Sequence, residues 1–308
     1  MATFLKKLIL FLVPLAALLI WCEIRLQTAP NSYVIKRRLI ETIGPQAEVL
    51  VFGTSHAYFD VDPEKFHLVG LNLANTSQSL ILEDQILTRF RKSFPNLKTI
   101  VLCVSPFSFE YRLYGKLDDY REFLYTRFFG IKGDGGWLAA LDPRAYSLTA
   151  TFGLELTRKI LLRDFGKKAE QEISPRGWFN SDVTYYPHLE VNDTDGKNRA
   201  EFHNSIADPE LTRQNLAAIQ HILENAKGAR VVLVRTPAAP TYTRHLSTAI
   251  EERFQTHIRD LGLEFHDYLR DERFTLTDFY DNDHLNTSGA AKFSTILDRE
   301  VLSVPPGH

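Results

Sequence analysis

Cysteine is scarce in this sequence, and neither sign of charge is in excess. Two cysteines among 308 residues exclude a disulfide framework and a cysteine-rich zinc site. Cys22 lies in an apolar run and Cys103 in a predicted buried strand, so we do not expect them to pair. The 36 basic and 38 acidic side chains give a net charge of −2, whereas proteins that bind the nucleic-acid backbone usually carry a basic surplus. Nucleic acid is therefore not an expected partner.

The common loops for nucleotides and the common spacings for metal ligands are also missing. The sequence contains no Gly-x-Gly-x-x-Gly and no Walker loop, so nucleotide binding has no support from the usual motifs. Its ten histidines show no metal-binding spacing. The hydrophobic share of 44% and the charged share of 24% are those of a globular protein and argue against global disorder. We therefore expect a folded protein without a cofactor or a metal ion.

The amino terminus carries a long apolar run, LILFLVPLAALLIWC, from Leu8 to Cys22. These 15 uncharged residues, with two apolar neighbours shortly before them, approach the roughly 20 that span a bilayer. Trp21 stands where an interfacial aromatic residue would. A cleaved signal peptide is the alternative, but no small-x-small cleavage site follows directly. The sequence predicts an uncleaved membrane anchor over residues 1–25.

The charges around this run only partly define its orientation. Lysines at positions 6 and 7 precede it, whereas Arg25 and three basic residues at 36–38 follow it. Long domains are translocated largely regardless of charge. We therefore expect a single-pass protein of the cell membrane, with the amino terminus in the cytoplasm and the main domain outside.

Five short apolar runs are typical of buried parallel strands. They cover residues 47–52, 68–73, 97–104, 229–234 and 263–268. Segments with helical spacing or capping signals lie around them, at 32–43, 80–94, 209–226, 243–260 and 287–302. Strands that alternate with helices predict a parallel sheet covered on both faces. The expected fold class is α/β, a three-layer sandwich with a central parallel sheet.

This alternation of strands and helices stops between residues 106 and 208. The stretch is rich in aromatic and arginine side chains and shows no clear alternation of its own. We interpret it as an inserted subdomain over or beside the strand ends, between the third and fourth strands. The predicted organisation is an anchor at 1–25, a linker helix at 26–46, a main domain at 47–105 and 209–304, and the insertion at 106–208.

The first candidate site is Gly53-Thr54-Ser55-His56, directly after the first strand. Ligands in open α/β sheets bind at the carboxyl ends of the strands. Gly53 permits a tight bend, and the N–H groups that follow can hold an oxyanion. Ser55 is therefore a candidate nucleophile, although a serine that only caps the next helix fits the same pattern. His56 either lines the site or lies on the surface.

The second candidate site is Asp281-Asn282-Asp283-His284, just before the last helix. A serine nucleophile needs a base, and the base needs a carboxylate that fixes its tautomer. An aspartate three residues before a histidine on one tight turn can reach Nδ1, which leaves Nε2 facing a serine. Asp281 suits this geometry better than Asp283. A solvated acidic turn or a cation-binding loop is the alternative.

Together the two sites resemble the SGNH/GDSL hydrolase superfamily over roughly residues 47–302, apart from the insertion. The family's Gly-Asp-Ser block corresponds to Gly53-Thr54-Ser55, and its closing Asp-x-x-His falls on Asp281 and His284. The resemblance implies a flavodoxin-like sandwich and a serine–histidine–aspartate triad made of Ser55, His284 and Asp281. An α/β-hydrolase is the nearest rival, but it places its serine after several strands and its acid well before its histidine.

The resemblance also implies groups that hold an oxyanion or a substrate. The family's second block supplies an oxyanion N–H, and it corresponds here to residues 72–77 and so to Ala74 or Asn75. The third block, Gly-x-Asn-Asp, is missing after the third strand, and Asn75 or Ser105 is the expected replacement. Arg235 ends the fourth strand at the ligand edge of the sheet, where it either contacts substrate or forms an ordinary ion pair.

One branch of the superfamily matches best, the bacterial proteins that modify cell-surface polysaccharides. A single anchor, Gly-Thr-Ser-His, Asn-Leu-Ala and a closing Asp-x-Asp-His-Leu-Asn are similar in layout to alginate O-acetyltransferases and to the D-alanyl transfer protein of teichoic acid synthesis. The resemblance implies a serine O-acyltransferase or esterase that acts on a surface glycan beside a membrane-bound O-acyltransferase. The aromatic side chains of the insertion would then stack on sugar rings or pack a small subdomain.

A non-catalytic role is the alternative function. The chain would then be a scaffold or binding subunit of a complex that synthesises or exports polysaccharide. The missing third block favours this alternative, whereas the presence of Ser55, Asp281 and His284 together favours an enzyme. The same triad serves transfer to a sugar and hydrolysis by water, so the sequence leaves both outcomes open.

Overall fold

The computed structural model describes residues 1–162, 172–180 and 191–304, and its centre is a sheet of five parallel strands. The strands are β1 (Val49–Gly53), β2 (Gly70–Asn72), β3 (Thr99–Cys103), β4 (Arg230–Arg235) and β5 (Glu264–Asp267). Each falls on one of the five apolar runs, with ends that never extend more than one residue beyond it. The predicted α/β fold with a central parallel sheet is confirmed.

The strands follow the order β2-β1-β3-β4-β5, which is a doubly wound order. β1 pairs with β2, where Val51 lies opposite Asn72, and with β3, where Gly53 lies opposite Cys103. In such sheets a crevice opens beyond the carboxyl ends of the strands at the switch point, here between β1 and β3. The residues that follow β1 and β3 therefore border this crevice.

Both faces of the sheet are covered, because alternate side chains of each strand enter two separate cores. Leu50 and Phe52 of β1 belong to one core, whereas Val49 and Val51 belong to the other. Every residue of β1 is buried. A strand buried on both faces has no polar side to expose, and this explains why the sequence shows a continuous apolar run rather than an alternating pattern.

Helices precede, connect and follow the strands. They are α1 (Ala2–Thr28), α2 (Ser32–Thr42), α3 (Ser55–Asp60), α4 (Leu80–Phe90), α5 (Tyr120–Leu124), α6 (Gly136–Leu141), α7 (Leu148–Leu162), α8 (Asp193–Ile206), α9 (Thr212–Ala226), α10 (Pro240–Thr243), α11 (Thr248–Leu261) and α12 (Thr287–Leu297). α11 begins five residues later than predicted, because the preceding residues form the separate turn α10. α12 ends at Leu297, and a π-helical turn, Asp298–Leu302, follows it.

The chain between β3 and β4 forms helices α5 to α9 and adds no strand to the sheet within the ranges that the structure describes. Part of it covers the exposed edge of the sheet, since the Asn72 N–H donates to the Arg176 carbonyl at 2.8 Å. The Phe179 N–H donates to the carbonyl of Tyr58 in α3 at 3.1 Å. This part of the segment therefore packs against the end of β2 and the helix that begins with Ser55. The predicted domain boundaries stay predictions.

Helix α1 is long and apolar enough to span a membrane or to be a signal sequence, and the apolar part of it is exposed. Its last turns are different, because Cys22 and Leu26 are buried. The Glu23 carboxylate accepts the N–H groups of Leu148 and Thr149, at 2.9 and 2.8 Å, at the start of α7. The end of α1 is therefore an integral part of the folded body.

Candidate active site

Ser55 is the first residue of α3, directly beyond the carboxyl end of β1. Gly53 has a φ of +149°, and a Cβ there would lie 2.6 Å from the Cβ of Ala57 and 2.9 Å from that of Cys103. Only glycine lets the strand turn so tightly into the helix. Thr54 caps α3, because its hydroxyl accepts the His56 N–H at 3.4 Å. Ser55 is then the first residue of the helix, and its side chain faces the crevice. Because Thr54 is the cap, the Ser55 hydroxyl is not needed for capping.

Asp281 and His284 form a closed turn ahead of α12. Oδ1 of Asp281 accepts the backbone N–H groups of Asp283 and His284, at 3.0 and 2.8 Å. His284 Nδ1 donates to the same carboxylate, 2.9 Å from Oδ2 and 3.0 Å from Oδ1. The nearest oxygen of Asp283 is farther from Nδ1, at 3.6 Å. The distances agree with the local geometry expected for Asp281, while its catalytic role stays a prediction.

The turn that carries His284 packs directly against α3. The Phe59 ring lies 4.6 Å from the His284 ring, and the Leu285 N–H donates to Asp60 Oδ1 at 2.8 Å. Ser55 and Phe59 are four residues apart, so they share one face of α3. Within the described ranges, no hydrogen bond joins Ser55 to His284, and the buried Nε2 of His284 has no partner. The nucleophile–base contact therefore stays a prediction, with a free imidazole nitrogen available for it.

Asn75 offers a free donor for an oxyanion, and Ala74 does not. The side chain of Asn75 is buried, and neither its Nδ2 nor its Oδ1 has a partner within the part of the chain that the structure describes. Buried amides are rarely left in this state unless something else binds them. By contrast, the Ala74 N–H donates to the side chain of Asn72 at 2.9 Å, and its carbonyl accepts from the buried Lys36. Of these two candidates, Asn75 is the one with an unengaged donor, and its role at an oxyanion stays a prediction.

A second serine–histidine–aspartate network lies beside the first. Ser105 Oγ is 2.6 Å from His56 Nδ1, and His56 Nε2 is 3.1 Å from Asp283 Oδ2. The carboxylate can only accept, so Nε2 carries the proton and Nδ1 accepts the Ser105 hydroxyl. Burial lowers the pKa of His56 although Asp283 opposes this, which keeps the ring neutral. The Ser105 proton is thus engaged by His56, while a role of Ser105 as the replacement for the missing oxyanion donor stays a prediction.

Two further residues, Arg199 and His203 of α8, complete this network. Arg199 Nε donates to both oxygens of Asp283, at 3.0 and 2.9 Å. His203 Nδ1 lies 2.7 Å from the Tyr242 hydroxyl. α8 packs closely against residues 240–243 because Gly196 has no side chain. A Cβ at this position would lie 2.2 Å from the Thr241 carbonyl oxygen. Neither Arg199 nor His203 was predicted as a site residue, although a spacing of four residues places two side chains on one face wherever the chain is helical.

Arg235 belongs to an ion-pair network instead of the crevice. Its guanidinium donates to Asp267, at 2.9 and 2.5 Å, and to Glu251. The side chain is only 4% exposed and lies over the Phe254 ring. Both partners are acidic side chains, and between them they accept from all three nitrogen atoms of the fork. Of the two alternatives for Arg235, the contacts are those of an ion pair, and a substrate-binding role stays a prediction.

Two carboxylates set the charge on His284. Burial opposes the imidazolium, but Asp281 and Asp283 outweigh it and raise the pKa of His284 from 6.5 to about 9. Burial likewise works against the charge on Asp283, but Arg199 and His284 hold the pKa of that carboxyl well below its usual range. At neutral pH, His284 is therefore a cation between two anions, and it must lose a proton before it acts as a base.

Ester cleavage should depend on pH accordingly. We expect kcat/KM for a small aryl ester to rise with pH and to level off above about 9, because only neutral His284 accepts the proton of a serine. Replacing Asp283 with asparagine removes one of the two anions, so the midpoint should move to lower pH. Stopped-flow or plate assays from pH 5 to pH 11 measure both profiles. A midpoint near 6.5 in the unchanged protein would contradict this assignment of charges.

His56, Asp283 and His284 also place metal-ligand atoms within 4.8 Å of one another. They come from opposite ends of the chain, so local spacing could not reveal the cluster. The donor types suit zinc. However, Arg199 already donates to both oxygens of Asp283, and a cation would have to displace it. The arrangement is that of a hydrogen-bond network rather than a prepared metal site.

Chelation should therefore leave the esterase rate unchanged. We expect no loss after treatment of the full chain with EDTA or 1,10-phenanthroline, since Arg199 supplies the positive charge beside Asp283. Rates are compared before and after removal of the chelator. A loss that added zinc restores would show that the cluster holds a metal ion.

A cavity of about 170 Å³ opens at Ser55. Its walls consist of Thr54, Ser55, Thr76, Ser77, Phe107, Tyr111, Lys116, Leu117, Asp118, Arg199, Phe202, His203 and Ile206. Most of these residues come from the segment between β3 and β4. This segment therefore forms the wall of the crevice in front of the candidate nucleophile.

Comparisons with known proteins assign this chain to no family. No family model matches the chain, and no curated protein matches it. One solved structure that matches is a Streptococcus pneumonia protein named provisionally as a platelet activating factor. It is 12% identical, with a TM-score of 0.40, over 94% of this chain and 98% of that one. This resemblance is too distant to assign a family or an activity.

Proposed function

We propose that this chain is a membrane-anchored serine enzyme of the SGNH/GDSL type, which transfers acyl groups on a cell-surface polysaccharide. One observation carries the proposal: the buried Asp281–His284 pair leaves Nε2 unpartnered on a turn that packs against the Ser55 helix. The two alternative interpretations fit less well. A solvated acidic turn would not be buried, and a serine that only caps the helix is not needed where Thr54 is the cap. The acyl-serine intermediate follows from these roles.

In the proposed mechanism, His284 Nε2 takes the hydroxyl proton as Ser55 Oγ attacks the carbonyl carbon of an acyl donor. The C=O π bond opens, and the oxyanion is held by Asn75 Nδ2 and by N–H groups at the start of α3. Collapse expels the leaving group, which takes the proton from His284, and leaves the acyl group on Ser55. A sugar hydroxyl or water then attacks with His284 as base, and Ser55 Oγ regains its proton as it leaves.

The cavity at Ser55 supports a carbohydrate acceptor. Phe107, Tyr111 and Phe202 provide aromatic faces, and Lys116 and Arg199 provide donors. Aromatic faces suit the apolar sides of sugar rings, and charged donors suit their hydroxyls. Within the described ranges, Lys116 forms no ion pair, so its ammonium group is available to a ligand.

Replacing Phe202 with alanine should separate acceptor binding from chemistry. Phe202 is 42% exposed at the cavity wall, and its ring contacts within the described ranges are with Arg199 and His203. We expect KM for an acceptor oligosaccharide to rise about two- to tenfold, since a ring contact is worth roughly 0.5–1.5 kcal/mol. Cleavage of an aryl ester should stay within about twofold, because the serine and base are unchanged. Leu276→Ala, an exposed leucine outside the cavity, is the control and should change neither value.

The environment of α1 supports an anchor that stays attached. Ser147, Leu148 and Thr149 all donate to the Glu23 carboxylate, and Leu26 is 1% exposed within the main core. Cleavage before Glu23 would remove the helix that holds this contact in place. We therefore propose a single-pass protein with the main domain outside the cytoplasm. A membrane-bound O-acyltransferase as partner follows from the sequence resemblance.

Transfer of a labelled acetyl group tests the proposed function. The full chain in detergent is incubated with a radiolabelled aryl acetate, and an acceptor oligosaccharide from surface polysaccharide is then added. We expect label on the protein first and then on the sugar. Release to water alone would make the chain an esterase. A chain that never carries label and yet is required for glycan acylation in cells would be the non-catalytic scaffold.

A further inference from the structure

Exposed large hydrophobic side chains of the folded body are concentrated in one short stretch. Nine such side chains are exposed C-terminal to α1, among the residues that the structure describes. Four of them fall within ten residues, namely Trp137, Leu138, Leu141 and Tyr146, and we call these four the α6 patch. Two others, Leu117 and Phe202, line the cavity at Ser55. The α6 patch is therefore a separate concentration of apolar surface with no role in the proposed chemistry.

The α6 patch is one face of a short helix. Trp137 and Leu141 are one turn apart and Leu138 lies beside them, and these three are between 48% and 72% exposed. Ala139 points the opposite way and is buried. Tyr146 is fixed against the same helix, because its hydroxyl donates to the Ala140 carbonyl at 2.7 Å. The helix thus turns its small residue toward the protein and its large apolar residues outward.

The α6 patch lies at the end of the body from which α1 emerges. Residues 3–21 of α1 are exposed along their whole length, and Glu23 is the first residue of α1 with a hydrogen bond to the body. Its donors, Ser147 to Thr149, directly follow Tyr146. Further along α1, Gln27 accepts a hydrogen bond from Arg127, which belongs to another part of the body. The chain just after α6 is therefore the first part of the body that α1 meets.

We propose that the α6 patch lies in the headgroup region of the same bilayer that holds α1. Tryptophan, tyrosine and leucine are the side chains that a membrane interface favours. Residues 136–141 carry no charge, whereas Lys132 and Arg25 are exposed nearby and suit lipid phosphates. Asp142 and Asp119 would be repelled, but both pair with Arg144, which offsets half of their charge. Two membrane contacts, α1 and the α6 patch, then fix the tilt of the body and the height of the Ser55 cavity above the lipid.

Tryptophan fluorescence tests this contact in the full chain. The protein has three tryptophans, of which Trp178 is buried. The variant Trp21→Phe is reconstituted in vesicles of phosphatidylcholine and phosphatidylglycerol, with or without lipids brominated near the headgroup. The emission of the variant Trp21→Phe/Trp137→Phe is subtracted, which leaves the signal of Trp137. We expect brominated lipid to quench roughly half or more of it, because interfacial side chains are buried ~5–10 Å.

A matched control places the reporter elsewhere on the surface. Leu276→Trp, added to Trp21→Phe/Trp137→Phe, reports an exposed site outside the α6 patch and should be quenched by aqueous acrylamide only. Leu141→Trp added to Trp21→Phe alone keeps Trp137 and serves as a second reporter if Trp137→Phe disturbs the fold, and the emission that it adds to the Trp21→Phe variant should be quenched by brominated lipid. Extraction with alkaline carbonate shows independently whether α1 is inserted.

The outcomes separate the occupants of the α6 patch. Quenching of both reporters by brominated lipid, with carbonate-resistant α1, supports the membrane contact. Quenching by acrylamide alone would overturn it, since the α6 patch would then face water. Protection from both quenchers would overturn it as well, because a protein surface would cover the α6 patch. Release of the chain by carbonate would remove the premise that α1 is in the bilayer.

Discussion

Replacing Ser55 with alanine is expected to reduce acyl transfer on the order of a thousandfold or more, by analogy with other serine triads. The physical reason is that Ser55 lines the cavity at the start of α3, and the turn that packs against α3 carries an imidazole nitrogen with no partner within the described ranges. The fold should survive, because the removed hydroxyl makes no hydrogen bond within the described ranges and Thr54 caps the helix. Acetylation of surface glycan in cells and aryl-ester cleavage by the purified chain are the two measurements.

Two serines in the same crevice provide matched controls for this prediction. Ser77→Ala changes a serine on the wall of the same cavity and should leave ester cleavage within about threefold. Ser105→Ala removes the hydroxyl that donates to His56 and should reduce the rate without abolishing the acyl-enzyme. If Ser105→Ala abolished the acyl-enzyme and Ser55→Ala kept it, the second network would hold the nucleophile.

Replacing His284 with alanine is expected to be nearly as damaging as the loss of Ser55. Nucleophile and base act as a unit, so Ser55→Ala/His284→Ala should be no slower than either single variant. The measurement is kcat/KM for an aryl ester, together with circular dichroism and thermal unfolding. Losses that simply multiply in the double variant would show that the two residues act independently.

Asp281→Asn should retain more activity than His284→Ala. The carboxamide oxygen can still accept the backbone N–H groups of Asp283 and His284, so the turn should keep its shape. What is lost is the negative charge, and with it the preference for a proton on Nδ1. We therefore expect a lower kcat and a lower midpoint of the pH profile, with little change in thermal stability. A variant that unfolded would point to a structural role of Asp281 instead.

The sheet and the local Asp281–His284 turn were the most predictable parts of this molecule. Strands buried on both faces leave long apolar runs, and β1 and β3 were therefore placed to within two residues. The start of α11 was less predictable. The Ala239 N–H donates to the Asn282 carbonyl at 3.1 Å, and this contact with a distant loop makes residues 240–243 a separate turn. Thr243, the first residue of the predicted helix, therefore belongs to this turn and not to α11.

The second network shows where sequence reasoning ends. His56 and Asp283 are 227 residues apart, and only the parallel sheet brings their two turns together. Each stands next to a candidate triad residue, but adjacency alone does not separate a functional side chain from a surface one. Ser105 was chosen for its place after β3, and that position was correct. Its hydrogen bond to His56 could not be predicted, and it engages the one proton that the hydroxyl can donate.

Labelling with a fluorophosphonate probe tests the central claim most directly, because the probe reacts only with a serine that a neighbouring base activates. The full chain is treated with the probe, digested, and analysed by mass spectrometry, with Ser55→Ala and His284→Ala in parallel. The account predicts one modified serine, Ser55, and no labelling in either variant. A chain that resists the probe while folded, or one that is labelled at another serine, would contradict it.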